Sequence, residues 1–373
     1  MRILFVSETY PPEINGVAMT AGRLVAGMRA RGHWVGVVRP KQHRHDQGGE
    51  SEWMVPGIAL PQYAEVRLGM PYWLRLYELI QAQRPDVVHI VTEGPLGWAA
   101  LYAARAHRIP VSSGYHTHFD QYSAHYGMGW LTRGVTHALD ALHRRCQATM
   151  VPAPELADVL SARGIPNVNV VGRGVDTELF HPGRRTAVLR QAWDAQDDAP
   201  VCLYVGRLAP EKNLGLTARA FAAIQQHIPG ARMVWVGDGP ARKTLMAAHP
   251  EHHFAGVQRG EALATHYASA DLFLFASVSE TWGNVVAEAL ASGLGVVTYR
   301  RAAGAALIEP GVNGVALPPG DAEAFIEAAV QLAQDTPRRL RMGQNACARM
   351  GAHGWNTVTS QFEHLLHSAA YAT

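Results

Sequence analysis

Cysteine is scarce in this chain: Cys146, Cys202 and Cys347 are the only three among 373 residues. An odd number spread so widely makes no disulfide framework, and the expectation is three packing thiols in a reducing compartment. Long apolar runs are missing as well. The opening stretch Arg2-Ile3-Leu4-Phe5-Val6 meets Ser7, Glu8 and Pro11, far short of a signal peptide or of the roughly eighteen apolar residues of a membrane span. A cytoplasmic protein is therefore expected, one that at most rests on the inner face of a membrane. Excess charge of one sign is also absent. Lys and Arg number 33 against 31 Asp and Glu, a net +2, which excludes a global field for nucleic acid.

The signatures of several chemistries are lacking. Gly237-Asp238-Gly239-Pro240-Ala241-Arg242 has arginine where a dinucleotide fingerprint needs its third glycine, and no glycine precedes Lys243-Thr244 as a Walker A loop requires. There is no His-Glu-x-x-His, Cys-x-x-Cys or Gly-x-Ser-x-Gly, so zinc hydrolysis and serine esterase chemistry lose their usual motifs. His116 and His118 have metal-binding spacing but no clear third ligand. No metal is expected. No repeat of solenoid period occurs.

What is present is ordinary globular composition, 48% hydrophobic and 17% charged, at a length that calls for two cores. Short β-rich runs alternate with segments of helical period, the pattern of parallel sheets covered by helices. Strands are expected at Ile3 to Val6, Val35 to Val38, Val87 to Val91, Val111 to Ser113, Thr149 to Val151 and Val168 to Val171. The pattern restarts at Val201 to Val205, Met233 to Val236, Phe254, Leu272 to Phe275, Val296 to Thr298 and Val315 to Leu317. Residues 176 to 200 read as a linker around one short helix. The expected fold is α/β: domains 1–172 and 173–354, both Rossmann-like and doubly wound, facing across a cleft, then a helix in 355–373 that could dock on either domain, the first included.

Four segments carry candidate chemistry. The strongest is Ser279-Glu280-Thr281-Trp282-Gly283-Asn284-Val285-Val286-Ala287-Glu288, two carboxylates beside a helix start. Helix N–H groups suit a phosphate, and carboxylates accept paired hydroxyls such as those of ribose or hexose. The plain structural reading is a helix with two surface glutamates. Next, Val205-Gly206-Arg207-Leu208-Ala209-Pro210-Glu211-Lys212-Asn213 ends a strand with two cations that suit a diphosphate; the bland alternative is a pair of solvated side chains. Third, Pro11-Pro12-Glu13-Ile14-Asn15-Gly16 opens a helix with a glycine that lets backbone approach a phosphate, or simply turns. Fourth, His116 in Gly114-Tyr115-His116-Thr117-His118-Phe119-Asp120 follows a strand, where it could bond a sugar hydroxyl with Asp120 orienting a ring. The chain holds 19 histidines, so His116 stands out only by position.

Together these segments resemble the retaining GT-B glycosyltransferases of glycosyltransferase family 4, in particular the branch of GDP-mannose-dependent α-mannosyltransferases and plant-type sulfolipid synthases. The resemblance implies that Arg207 and Lys212 hold the donor diphosphate, Glu288 the ribose and Glu280 the transferred hexose. Gly16 would lie under the phosphates, His116 would touch the hexose, and the backbone of Trp282, Gly283, Asn284 and Val285 would complete the donor site. It further implies an α-linked product, no cofactor beyond a donor such as GDP-mannose or UDP-glucose, and no DxD-bound metal. A lipid, lipid-linked or glycan acceptor is expected. The helix of Trp130 to Arg145, with Arg133, Arg144 and Arg145 beside Leu131, Val135, Leu139 and Leu142, offers either peripheral membrane contact or an ordinary half-buried face. Trp282 departs from the usual phenylalanine, Gly295 from proline and Leu307 from glutamate. The competing readings are a sugar-nucleotide-binding protein and a hydrolase without an acceptor; an epimerase would need a Tyr-x-x-x-Lys pair that is missing.

Overall fold

The computed structural model describes residues 1–13, 15–42, 46–60, 63–115, 129–195, 199–280 and 282–371. The chain divides into two compact units, Met1–Arg173 with Trp355–Thr373, and Gly174–Gly354.

In the first unit the strands are β1 (Arg2–Val6), β2 (Trp34–Pro40), β3 (Glu52–Val55), β4 (Gly57–Leu60), β5 (Tyr63–Gly69), β6 (Val87–Ile90), β7 (Val111–Gly114), β8 (Ala148–Val151) and β9 (Val168–Val170). Seven form a parallel sheet in the order β3-β2-β1-β6-β7-β8-β9, while β4 and β5 pair antiparallel. Strand order reverses between β1 and β6. Three of these strands, β3 to β5, are not among those expected from the sequence. Glu-Trp-Met-Val at the sheet edge is half-buried, and β5 carries Glu65 and Arg67, so neither of these two presents the continuous apolar run of a strand covered on both faces.

The terminal helix Trp355–Tyr371 belongs to this unit. Its Val358, Phe362 and Leu366 pack with Ile3, Phe5, Val25 and Met28. A Cβ on Gly27 would fall 2.6 Å from Thr359 Oγ1, so that glycine lets two helices meet. At the edge of this contact Glu363 accepts from Arg31 at 2.9 Å and pairs with His33 at 2.6 Å.

The second unit holds β10 (Val201–Val205), β11 (Arg232–Val236), β12 (His253–Gly256), β13 (Leu272–Phe275), β14 (Gly295–Tyr299) and β15 (Val315–Leu317). They form one parallel sheet, β12-β11-β10-β13-β14-β15. The three central strands, β10, β13 and β14, are buried along their whole length, as helices on both faces require. This is the Rossmann order, with its reversal between β10 and β13, and open sheets of this kind bind ligands beyond the carboxyl ends of the strands at that reversal.

Candidate functional site

Two of the four sequence segments flank the reversal point of the second sheet. β10 runs into Gly206, Arg207 and the short 3-10 turn Pro210–Lys212, and β13 runs into Ser277 and Glu280. The loops are tied across the gap. Lys212 Nζ donates to Glu280 Oε1 at 2.5 Å, Ser277 Oγ donates to the same oxygen at 2.8 Å, and Ser279 Oγ donates to the Glu211 carbonyl at 3.1 Å. Both charges of the pair are largely shielded, at 14% and 18% side-chain exposure, so their attraction is stronger than that of a surface pair. Arg207 is more open, and its 3.4 Å contact with Glu211 is the kind of exposed pair that contributes little.

The arginine loop owes its shape to the glycines of Gly237-Asp238-Gly239. Gly206 N donates to Val236 O, Leu208 N to Asp238 O and Ala241 N to Leu208 O, so two loops are zipped backbone to backbone. A Cβ on Gly237 would lie 2.0 Å from Gly206 O, and one on Gly239 would lie 2.4 Å from Leu208 O. Their φ values of 135° and 156° also suit glycine best. The segment that fails as a dinucleotide fingerprint is thus the clamp that sets the Arg207 loop.

Beyond Glu280, Gly283 adopts φ 85° and starts the helix Asn284–Ala291 with no side-chain cap. A left-handed residue here turns the chain sharply, leaving N–H groups of the first turn directed out of the helix end. Trp282 Nε1 and Asn284 Oδ1 are buried without a hydrogen-bond partner among the described residues. Burial without a partner costs about 1–3 kcal/mol for each such atom. Val285 and Glu288 are half-buried on this helix. Tyr267, which the sequence reading did not single out, donates to Glu288 Oε2 at 2.9 Å. Burial pushes the Glu288 carboxyl up to about 7, with the Tyr267 hydrogen bond acting against the rise.

In the first unit Gly16 opens the helix Gly16–Ala30. Asn15 Oδ1 already accepts from Val17 N at 3.1 Å and Ala18 N at 2.8 Å, so two of the helix's donors are occupied and only the glycine end stays open to an anion. At the reversal point of this sheet, Glu8 lies buried. It accepts from Gly69 N and, at 2.9 Å, from Leu96 N, while its own N–H donates to Thr92 Oγ1. A Cβ on Gly94 would lie 2.3 Å from its carboxylate. Burial raises the Glu8 carboxyl to about 7. His116, with His118, Phe119 and Asp120, lies outside the described residues. The strand that precedes it, β7, sits on a buried relay in which Ser113 Oγ meets His143 Nδ1 at 2.8 Å and His143 Nε2 meets Glu93 Oε1 at 3.3 Å.

The basic helix runs Gly129–His143. Leu139 and Leu142 are buried, Arg144 donates to Asp140 and to the Arg163 carbonyl, and Arg145 donates to Ala141 O. Those two arginines are engaged within the unit. Cys146 and Cys202 are buried and Cys347 is only half-buried, so the last is less a packing residue than expected. His249, Glu251 and His252 bring ligand-type atoms within 4.8 Å of one another. However, Trp235 Nε1 donates to His252 Nδ1 at 3.1 Å. That leaves the neutral ring's proton on Nε2, 3.3 Å from Glu251 Oε1, in place of a metal-binding lone pair.

A family model described as Glycosyltransferase Family 4 matches residues 14–179, and one described as Glycosyl transferases group 1 matches residues 199–335. A GDP-mannose-dependent α-mannosyltransferase of Corynebacterium glutamicum is 31% identical, covering 97% of this chain and 87% of that one. An enzyme of the same name from Mycobacterium tuberculosis is 34% identical over 88% of this chain and 87% of its own. The chain belongs to glycosyltransferase family 4. It is a glycosyltransferase of the GT-B fold, and a solved sucrose-phosphate synthase from Thermosynechococcus elongatus shares that fold with a TM-score of 0.80 at 18% identity over the whole of both chains. The sulfoquinovosyl transferase of Arabidopsis thaliana is 31% identical over 83% of this chain and 62% of its own length. The hydrolase alternative finds no support among these relatives.

Proposed function

We propose that this family 4 enzyme transfers mannose from GDP-mannose, with retention, to a lipid, lipid-linked or glycan acceptor. The observation that carries the reading is the Lys212–Glu280 pair at the reversal point of the second sheet, with Glu288 further along the adjoining helix. Hexose acceptor, diphosphate cation and ribose acceptor then match the hexose, diphosphate and ribose that follow one another along a nucleotide sugar. The names of the relatives at 31–34% identity support mannose over glucose.

In this reading Arg207, Lys212 and the uncapped N-terminus of the helix Asn284–Ala291 hold the diphosphate. Negative charge grows on it as the glycosidic bond breaks, so these groups stabilise the transition state more than the ground state. Glu280 accepts from the hexose hydroxyls and Glu288 from the ribose. The family motifs assign Gly16 to the phosphates and His116 to the hexose. The acceptor oxygen attacks the face the phosphate leaves, its proton passing to the departing phosphate. The balance is one glycosidic bond broken, one formed and one proton moved.

The test is to offer the purified protein GDP-mannose and UDP-glucose, with and without lipid acceptors, and to determine the anomeric linkage of the product. Saturable transfer from GDP-mannose giving an α-glycoside, undiminished by EDTA, is expected. A β-linked product from the α-donor would sink the reading, and release of free mannose alone would show a hydrolase.

A further inference from the structure

Tyr267 lies on the helix Gly260–Ser269 and is fully buried. Its ring is held edge-on by Phe180 at 5.7 Å and against Phe273 at 5.9 Å. Apolar packing on two sides leaves the hydroxyl one partner, Glu288 Oε2 at 2.9 Å. The other carboxylate oxygen, Oε1, accepts no hydrogen bond from the described residues.

We propose that Tyr267 is the positioning residue of the donor site: its hydroxyl holds Glu288 by one oxygen so that the other faces the ribose of a nucleoside diphosphate. The inference rests on the reading of Glu288 as the ribose acceptor. The physical case is that a glutamate side chain has several rotamers, and holding it in one before the nucleotide arrives removes that ordering cost from binding. A phenol can only donate to an ionised carboxylate, so the same bond selects the form that accepts hydroxyl protons. Burial pushes Glu288 up to about 7, and the Tyr267 hydrogen bond pulls it down. Ionised Glu288 should therefore bind nucleotide best above neutrality, with affinity falling as pH drops through about 7. The Tyr267 hydroxyl is itself pushed well above its usual value, first by burial and then by Glu288, so it stays protonated throughout.

The experiment is titration calorimetry of GDP against pH with wild type, Glu288→Gln and Tyr267→Phe. Glu288→Gln should weaken GDP and erase its share of the pH dependence, leaving only the step of the phosphate itself. Tyr267→Phe should weaken GDP about tenfold near neutrality, the scale of a hydrogen bond to a charged group, and move the midpoint to higher pH. Site-specific 3-fluorotyrosine at 267, a stronger donor in nearly the same volume, should move it to lower pH, which keeps the test decisive if the phenylalanine variant folds poorly. If Glu288→Gln leaves GDP binding unchanged, the ribose reading itself is wrong. If Glu288→Gln weakens binding while neither change at 267 moves the midpoint, Tyr267 has only a packing role.

Discussion

At the scale of single residues, the two glutamates of the family motif have different surroundings, and this predicts different losses. Glu280 is bonded to Lys212 and Ser277, whereas Glu288 is bonded to Tyr267. A diphosphate that recruits Lys212 must compete with Glu280 for it. Glu280→Gln should then leave GDP affinity equal or improved while transfer falls on the order of a hundredfold, the typical loss of one transition-state contact. Glu288→Ala should instead weaken GDP itself. Calorimetry and initial rates on the two variants check this; a shared drop in GDP affinity would remove the distinction. A second residue-scale prediction concerns His89, buried between Phe5 and Phe362 with its Nδ1 at 2.9 Å from Ser112 Oγ. Burial holds it down to about 3, so its stabilising share is complete above its unfolded value and is lost as pH falls toward 3. Glu8 runs the other way, its raised value of about 7 giving most stability below 4.5 and less as pH rises through 7. Urea unfolding of His89→Leu against pH isolates the histidine. The variant should lose about 1.4 kcal/mol less per pH unit than wild type once pH is well below the histidine's unfolded value, and parallel curves would refute it.

At the scale of elements, glycines decide where the site's loops can go. Gly283 has φ 85°, yet a Cβ there would meet nothing nearer than Glu280 Cγ at 3.5 Å. Gly283→Ala should therefore cost only the left-handed backbone term, about 1–2 kcal/mol, and lower Tm by a few degrees in a domain of this size. Gly237→Ala faces the Gly206 carbonyl at 2.0 Å and cannot be relieved by a rotamer, because the obstacle is backbone. It should cost about 3 kcal/mol or more and weaken GDP by displacing the Arg207 loop. Differential scanning calorimetry on both variants ranks them; a Gly237→Ala protein as stable as Gly283→Ala would contradict the clamp.

For the whole molecule, the first unit is closed by a segment distant in sequence. Val358, Phe362 and Leu366 complete a core begun by Ile3 and Phe5. Each buried apolar side chain contributes about 1.5–3 kcal/mol, so truncation after Gly354 should remove much of a typical domain's stability margin. Circular dichroism and limited proteolysis should show the first unit opened, while fragments within Gly174–Gly354 persist. Equal protection of both would overturn this. No helix among the described residues is long and apolar enough to cross a membrane.

The alternation of β-rich runs with helical periods, and the Rossmann character that follows, were legible because strands buried on both faces must be apolar throughout, as Val201–Val205 and Leu272–Phe275 are. The half-buried edge strand β3 and the hairpin strand β5 were not, since their sequences mix charged with apolar residues, Glu52 in one and Glu65 and Arg67 in the other. The family motifs were readable as runs of residue types. Which of those residues meet was decided by strand order alone: 66 residues, Gly206 to Asp271, lie between β10 and β13, yet the adjacency of the two strands brings Lys212 to Glu280. Tyr267 had no local signal at all, because a tyrosine's role depends on what its hydroxyl reaches. Sequence determines which groups are available and how the backbone repeats; only packing over long separations decides which carboxylate is held, by what, and in which ionisation state.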